Sequence, residues 1–183
     1  MAEPEPHDSA DAIFVFAWRE ARKKLGVQLF REGRAPLLIL SVGRFEWRKF
    51  ASLGLPGDGG LLEMVPLIEP RERHFFVRIG PEGAMCDRIA RGKLGTWTEA
   101  RALAGLIERE RWAKVLVVSS RAHLPRCLLS LRAFLSFPCA VVPVACEDAE
   151  GSEECRAALG ELAKFSGYTI LAGLTRLRRG GSG

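Results

Sequence analysis

Polar side chains that bind or react with anions lie close together directly after one apolar segment of this chain. The apolar segment is the valine-rich run 114–118, and the polar residues that follow it are Ser119, Ser120, His123 and Arg126. The run is typical of a buried strand, and Pro125 suits the first position of a helix. A guanidinium grips phosphate or carboxylate with two hydrogen bonds, and an imidazole titrates near neutral pH. The pattern therefore predicts an anion-binding turn between a strand and a helix.

Each of these side chains also suits a structural role. Neither serine lies in a Gly-x-Ser-x-Gly elbow, so capping or phosphate contact is favoured over nucleophilic attack. His123 suits acid–base chemistry, but its place before a proline-initiated helix equally suits a cap. Arg126 equally suits a structural ion pair with Glu46 or Glu99. Those two glutamates are also candidates for a carboxylate pair, which only geometry can establish.

Apolar runs that alternate with helical periodicity predict the elements that position this turn. Strands are predicted at 12–16, 37–41, 75–79, 114–118 and 140–144. Helices are predicted at 18–31, 45–53, 96–111, 125–135 and 152–178, and the connection 80–95 is predicted to be a loop with a helical turn near 85–90. This alternation predicts a three-layer, Rossmann-like α/β sandwich with a mainly parallel five-stranded sheet. Right-handed crossovers would place the segments 41–46, 95–99 and 119–126 at one edge of that sheet.

The same three segments carry a resemblance to a known family. Their sequences are Ser41-Val42-Gly43 with Glu46, Gly95-Thr96-Trp97-Thr98-Glu99-Ala100, and Ser119-Ser120-Arg121-Ala122-His123-Leu124-Pro125-Arg126. Over residues 11–144 the chain resembles the YdcF/SanA/ElyC-like family, a bacterial domain of unknown function. That family typically has Ser-Gly-Gly and a later Glu after its second strand. It also has Thr-x-x-Asn at the start of a later helix and Thr-Ser-x-x-His-x-x-Arg after the next strand.

The resemblance implies a ligand-binding site on the matched motifs. The implied site residues are Ser41, Gly43, Glu46, Thr96, Glu99, Ser119, Ser120, His123 and Arg126. Three departures accompany them. Glu99 stands where the family usually has Asn, and Val42 replaces the first glycine of its motif. Phe16-Ala17-Trp18 stands where the first strand of the family usually ends in a Gly-Gly turn.

The resemblance implies a domain that binds a small anionic metabolite, phosphate-bearing or nucleotide-like, at the C-terminal edge of the sheet. It also implies a link to cell-envelope processes and S-adenosylmethionine as a candidate cofactor, and it leaves enzymatic activity open. One alternative is a degenerate, non-catalytic interaction module whose pocket has closed with the loss of the Gly-Gly turn. Another is a nucleic acid binder that uses a basic first helix, with Arg19, Arg22, Lys23, Lys24, Arg31 and Arg34. Nucleic acid is the less favoured partner, since such a face is most often only solvated.

Composition limits the domain organisation and the cellular location that can be expected. The chain has 183 residues, 48% of them hydrophobic and 27% charged, with a net charge of +5. These values predict a single domain over 11–179, between an acidic tail at 1–10 and a flexible tail at 180–183. No apolar run has the length of a membrane span, and the acidic start does not resemble a signal peptide, so a cytoplasmic protein is expected. Oligomeric state is left open.

Motif content excludes several function classes. The five cysteines include no Cys-x-x-Cys pair, which favours reduced thiols and no metal site. The sequence also contains no Walker loop, no Gly-x-Gly-x-x-Gly and no His-Glu-x-x-His. Ordinary nucleotide hydrolases, dinucleotide dehydrogenases and zinc hydrolases are therefore disfavoured.

Overall fold

Alternating strands and helices make up the computed structural model, which describes residues 9–90 and 95–147. The strands are β1 (Ala12–Val15), β2 (Leu38–Val42), β3 (Phe75–Gly80), β4 (Gly83–Arg88), β5 (Lys114–Ser120) and β6 (Ala140–Cys146). The α-helices are α1 (Glu20–Arg31), α2 (Leu61–Met64), α3 (Gly95–Glu110) and α4 (Leu124–Phe134). Short 3-10 helices cover Glu46–Leu53, Val65–Leu67 and Pro70–Glu72. The predicted helix at 152–178 and the predicted tail at 180–183 lie outside the described residues.

One mixed sheet contains all six described strands, in the order β4-β3-β2-β1-β5-β6. The four strands β2, β1, β5 and β6 are parallel, whereas β3 runs antiparallel to β2 and β4 antiparallel to β3. The α/β class and the mostly parallel sheet agree with the sequence-based prediction. The predicted number of five strands is too low, because segment 83–88 forms β4 rather than a loop with a helical turn.

The sheet is covered on both faces, which gives the three layers of the predicted sandwich. Residues alternate between the faces along each strand. Ile13 and Val15 of β1 belong to the core beneath α1, whereas Ala12 and Phe14 belong to the core beneath α3 and α4. Gly26 permits α1 to pack closely, because a Cβ atom there would overlap Cγ2 of Val15. This close packing brings the first turn of α1 against the end of β1.

Boundaries differ most from the prediction where the chain is near the sheet edge. β5 continues to Ser120, two residues further than predicted, so both serines are strand residues. Segment 46–53 is helical but of the 3-10 type, and α1 begins at Glu20 rather than Trp18. Within residues 9–90 and 95–147, none of the helices combines the length and apolar character that crossing a membrane requires.

Candidate functional site

The three segments of the predicted site meet at one edge of the sheet. β1 lies between β2 and β5 and is parallel to both, so the carboxyl ends of the three strands are side by side. Side chains from α3 contact the other two segments there. The Ser41 Oγ lies 2.5 Å from Glu99 Oε1, and the Thr96 Oγ1 lies 3.2 Å from His123 Nε2. The structure therefore joins segments that are as far apart as residues 41 and 123.

Glu99 lies at the centre of the first group of contacts. Only 3% of this residue is exposed, yet its Oε1 accepts hydrogen bonds from the amide of Ala17 at 2.8 Å and from the hydroxyl of Ser41. His74 Nε2 lies 3.6 Å from the same oxygen and 2.9 Å from Ser41 Oγ. Burial raises the pKa of Glu99. The neighbouring His74 ring and the hydrogen bonds from the Ser41 hydroxyl and the Ala17 amide lower this pKa by a larger amount, so the net shift is downward. Glu99 is therefore a buried carboxylate and not a proton donor at neutral pH.

Glu46 holds the neighbouring peptide of the same turn. Its Oε1 accepts from the amide of Trp18 at 2.8 Å and from the ammonium group of Lys23, and its Oε2 accepts from the amide of Gly43 at 2.6 Å. Two consecutive amides after β1 thus donate to two different glutamates. Because Glu46 pairs with Lys23 and Glu99 contacts His74, these carboxylates have cationic or imidazole neighbours other than Arg126.

Arg22 links the turn after β1 to the end of β5. Its Nη1 donates to the carbonyl of Ala17 at 2.7 Å, and its Nη2 donates to Ser120 Oγ at 2.7 Å. Arg22 and Lys23 are each only 4% exposed. Two of the six residues of the predicted basic face of the first helix are therefore buried in the protein. Ser120 acts as an acceptor within the protein and is not presented to solvent.

His123 organises the second group of contacts, at the amino end of α4. Arg126 Nη2 lies 2.6 Å from His123 Nε2, and Ser119 Oγ lies 3.0 Å from His123 Nδ1. A guanidinium only donates hydrogen bonds, so Nε2 accepts and the ring proton is on Nδ1. This assignment makes Ser119 Oγ an acceptor from His123. A histidine that activated Ser119 as a nucleophile would have to accept the serine proton instead, so the geometry disfavours serine-type catalysis.

Phe16 and Trp18 occupy different environments although they flank the same residue. Phe16 is fully buried and its ring packs edge-on against His123, with centroids 6.2 Å apart. Trp18 is 76% exposed. The backbone φ angles of Trp18 and Arg19 are 72° and 57°, in the left-handed region that favours glycine. The turn after β1 therefore has a backbone suited to glycine but side chains that are not glycine.

Sequence reasoning missed three members of this arrangement. Arg22 and Lys23 were assigned to a solvated helix face, although their spacing from Gly26 and Val27 places them on the same, buried side of α1. His74 was not considered. It precedes β3, and the pairing of Val42 with Phe75 brings the start of this antiparallel strand beside the end of β2. The antiparallel direction of β3 was the missing information.

Comparisons of the chain with family models, curated proteins and solved structures find no match. Within residues 9–90 and 95–147, no three His, Cys, Asp or Glu side chains are grouped so as to hold a metal ion. The site consists of two carboxylates that accept hydrogen bonds from the turn after β1, and of an arginine and an imidazole at the amino end of α4.

Proposed function

We propose that this chain is a YdcF-like domain that binds a small anionic metabolite, phosphate-bearing or nucleotide-like, at the C-terminal edge of its sheet. The observation that carries the proposal is the contact between Arg126 and His123 at the amino end of α4. The neutral imidazole accepts from the guanidinium and thereby orients it without neutralising its charge. The positive end of the helix dipole adds to that charge. An anion is the ligand that this combination favours.

The neighbouring residues support a binding role over a catalytic one. Ser119 accepts from His123 and Ser120 accepts from Arg22, so both hydroxyls serve to position cationic or imidazole groups. Glu99 is ionised and buried, and Glu46 is paired with Lys23. A bacterial origin, a link to cell-envelope processes and S-adenosylmethionine as ligand belong to the same proposal and depend on the family resemblance alone. The cytoplasmic location also remains part of the proposal.

A thermal-shift screen tests this proposal. S-adenosylmethionine, nucleotides and sugar phosphates are offered to the wild type, to Arg126→Ala and to His123→Ala. A ligand at one hundred times its dissociation constant stabilises the folded state by about 2.7 kcal/mol. Arg132→Ala is the matched control, because Arg132 is on the same helix but exposed. We expect a hit that is lost in Arg126→Ala and kept in Arg132→Ala. A screen without hits, or hits that neither site variant changes, would refute the proposal.

The second candidate function is a non-catalytic interaction module with a closed pocket. The packing of the Phe16 ring against His123 favours it, since that ring covers one side of the imidazole. Trp18, the other aromatic residue of the Phe16-Ala17-Trp18 segment, is exposed to solvent instead. Phe16→Ala separates the two functions. Ligand binding that appears only in this variant would favour the closed module, and binding in the wild type would favour the open site.

A further inference from the structure

Exposed aromatic and arginine side chains surround the buried contacts of the candidate site. Trp18 is 76% exposed and Phe45 is 55% exposed, and the arginines beside them are also exposed. We call this set the rim, and its members are Trp18, Arg44, Phe45 and Arg48. Large exposed aromatic side chains among cationic groups are typical of surfaces that bind aromatic anions.

Each part of the rim is fixed to the buried contacts through the main chain. Trp18 follows Ala17, whose amide donates to Glu99, and the amide of Trp18 itself donates to Glu46. Arg44 follows Gly43, whose amide donates to the same Glu46 side chain. One carboxylate therefore holds the main chain of both rim segments, with the amides of Trp18 and Gly43 bound to its two oxygens.

Phe45 orders the two arginines next to it. The guanidinium carbon of Arg44 lies 4.9 Å from the centroid of the Phe45 ring, and that of Arg48 lies 5.5 Å from it. Arg48 also lies 5.4 Å from the ring of Trp47. Cation–π contacts limit the rotamers of both arginines before any ligand arrives, which lowers the entropic cost of binding a phosphate group.

The charge of this surface is positive because its carboxylates are already paired. Glu46 pairs with Lys23, and Glu20 lies 2.9 Å from Lys24 and 3.4 Å from Lys49. The lysines already balance these carboxylates, so this surface takes an excess of positive charge from the arginines of the rim. A negatively charged ligand gains from them without competing against nearby carboxylates.

Trp18 has a conformation that only a strong local constraint retains. Its φ of 72° is unfavourable for a residue with a Cβ atom, and its side chain makes little contact with the protein. Strained residues are concentrated at ligand clamps, where the surrounding structure holds them in place. Here the bond from its amide to Glu46 supplies that constraint on the main chain, and the indole ring is exposed.

We propose that the rim binds a free nucleotide, with the base stacked on Trp18 and the phosphates held by Arg44 and Arg48. This inference rests on the proposed function and specifies its ligand class. An aromatic ring that carries phosphate is the ligand that uses both halves of the rim. Base-free phosphates would use only the arginines, and nucleosides would use only the indole.

Calorimetric titration with ADP, ribose 5-phosphate and adenosine tests the proposal on the full chain. Trp18→Ala should weaken ADP binding roughly 5- to 150-fold, the range for loss of one stacked base, and should leave ribose 5-phosphate unchanged. Trp18→Phe should retain most of the affinity for ADP. The double variant Arg44→Gln, Arg48→Gln should weaken the binding of both ADP and ribose 5-phosphate. Arg109→Gln, an exposed arginine of α3 that pairs with Glu110, is the control and should change neither.

The outcomes distinguish this inference from the proposed function. Binding of ribose 5-phosphate that Arg126→Ala abolishes, with no further gain for ADP, supports the proposed function and overturns the rim. Binding of ADP that requires Trp18 but not Arg126 supports the rim and overturns the role that the proposed function gives to Arg126. Tighter binding of a thymidine oligonucleotide than of ADP would mean that the ligand is nucleic acid and not a free nucleotide, and it would overturn the inference. Absence of binding to every probe overturns both.

Discussion

Replacement of Glu99 by glutamine tests whether the buried carboxylate holds the sheet edge together. Its Oε1 accepts from the amide of Ala17 and from the hydroxyl of Ser41, and His74 lies 3.6 Å away. A hydrogen bond to a charged group contributes ~1.5–3 kcal/mol, and one between neutral groups ~0.5–1.5 kcal/mol. Glu99→Gln keeps the shape and two neutral bonds but loses the charge. The expected loss is about 1 kcal/mol for each bond, or about 2 kcal/mol in the free energy of unfolding at pH 7.

This loss of stability depends on pH in a direction that follows from the pKa of Glu99. The pKa of Glu99 in the folded protein is lower than its ordinary value of 4.5. The charge therefore contributes its full stability above pH 4.5, and the contribution is lost as the pH falls through the folded-state pKa. We expect the difference between wild type and Glu99→Gln to shrink as the pH falls below 4.5.

Urea unfolding followed by circular dichroism at several pH values measures both quantities. Glu110→Gln is the matched control, since Glu110 is exposed on the same helix and should change the free energy of unfolding by less than ~0.5 kcal/mol. A variant Glu99→Gln as stable as the wild type would mean that desolvation of the carboxylate outweighs its hydrogen bonds. A difference that stays the same down to pH 3.5 would also refute the reasoning.

Three further predictions concern the turn, the helix that packs on it and a buried thiol. Trp18→Gly should raise the free energy of unfolding by about 0.5–1 kcal/mol in thermal melts, because relief of ~1–2 kcal/mol of strain exceeds the entropic cost of glycine, and Trp18→Ala should give no gain. Gly26→Ala should lower it by ~1–3 kcal/mol, because the new Cβ overlaps Val15 and α1 must move outward; an unchanged melting temperature would contradict this close packing. Burial raises the pKa of the Cys127 thiol, so mass spectrometry should find this cysteine unmodified by iodoacetamide at pH 8 until the protein is unfolded.

The parallel half of the fold was accessible from the sequence because its strands are buried on both faces. β1, β2 and β5 each contain a continuous apolar run, which can be recognised as a buried strand without knowledge of the adjacent strands. β4 gave no such signal. It is an edge strand that contains Cys86, Asp87 and Arg88, half-buried or exposed, and no repeated apolar spacing distinguishes it from a loop. Its pairing with β3 depends on partners that the local sequence does not reveal.

The site was accessible only in part for a similar reason. Ser41 and Thr96 were predicted from the motifs of the family resemblance, and Ser119 and His123 from their place directly after the valine-rich run. Which contacts they make depends on the direction of β3 and on the depth to which α1 packs. The direction of β3 brings His74 to the site, and the packing of α1 brings Arg22 and Lys23 there. Their charge pattern alone would place Arg22 and Lys23 on a solvated face.

The turn after β1 shows how a backbone that suits glycine persists without glycine. Each of Trp18 and Arg19 incurs strain of ~1–2 kcal/mol at positive φ. Glu99 accepts the amide of Ala17 and Glu46 accepts that of Trp18, and charge-assisted bonds of this kind contribute ~1.5–3 kcal/mol each. Two bonds of about 1.5–3 kcal/mol each are at least comparable with strain of about 1–2 kcal/mol at each of two residues, so the glutamates offset the strain. A turn with this backbone therefore does not require glycine, and the tryptophan at its first positive-φ position exposes an indole ring at this edge of the sheet.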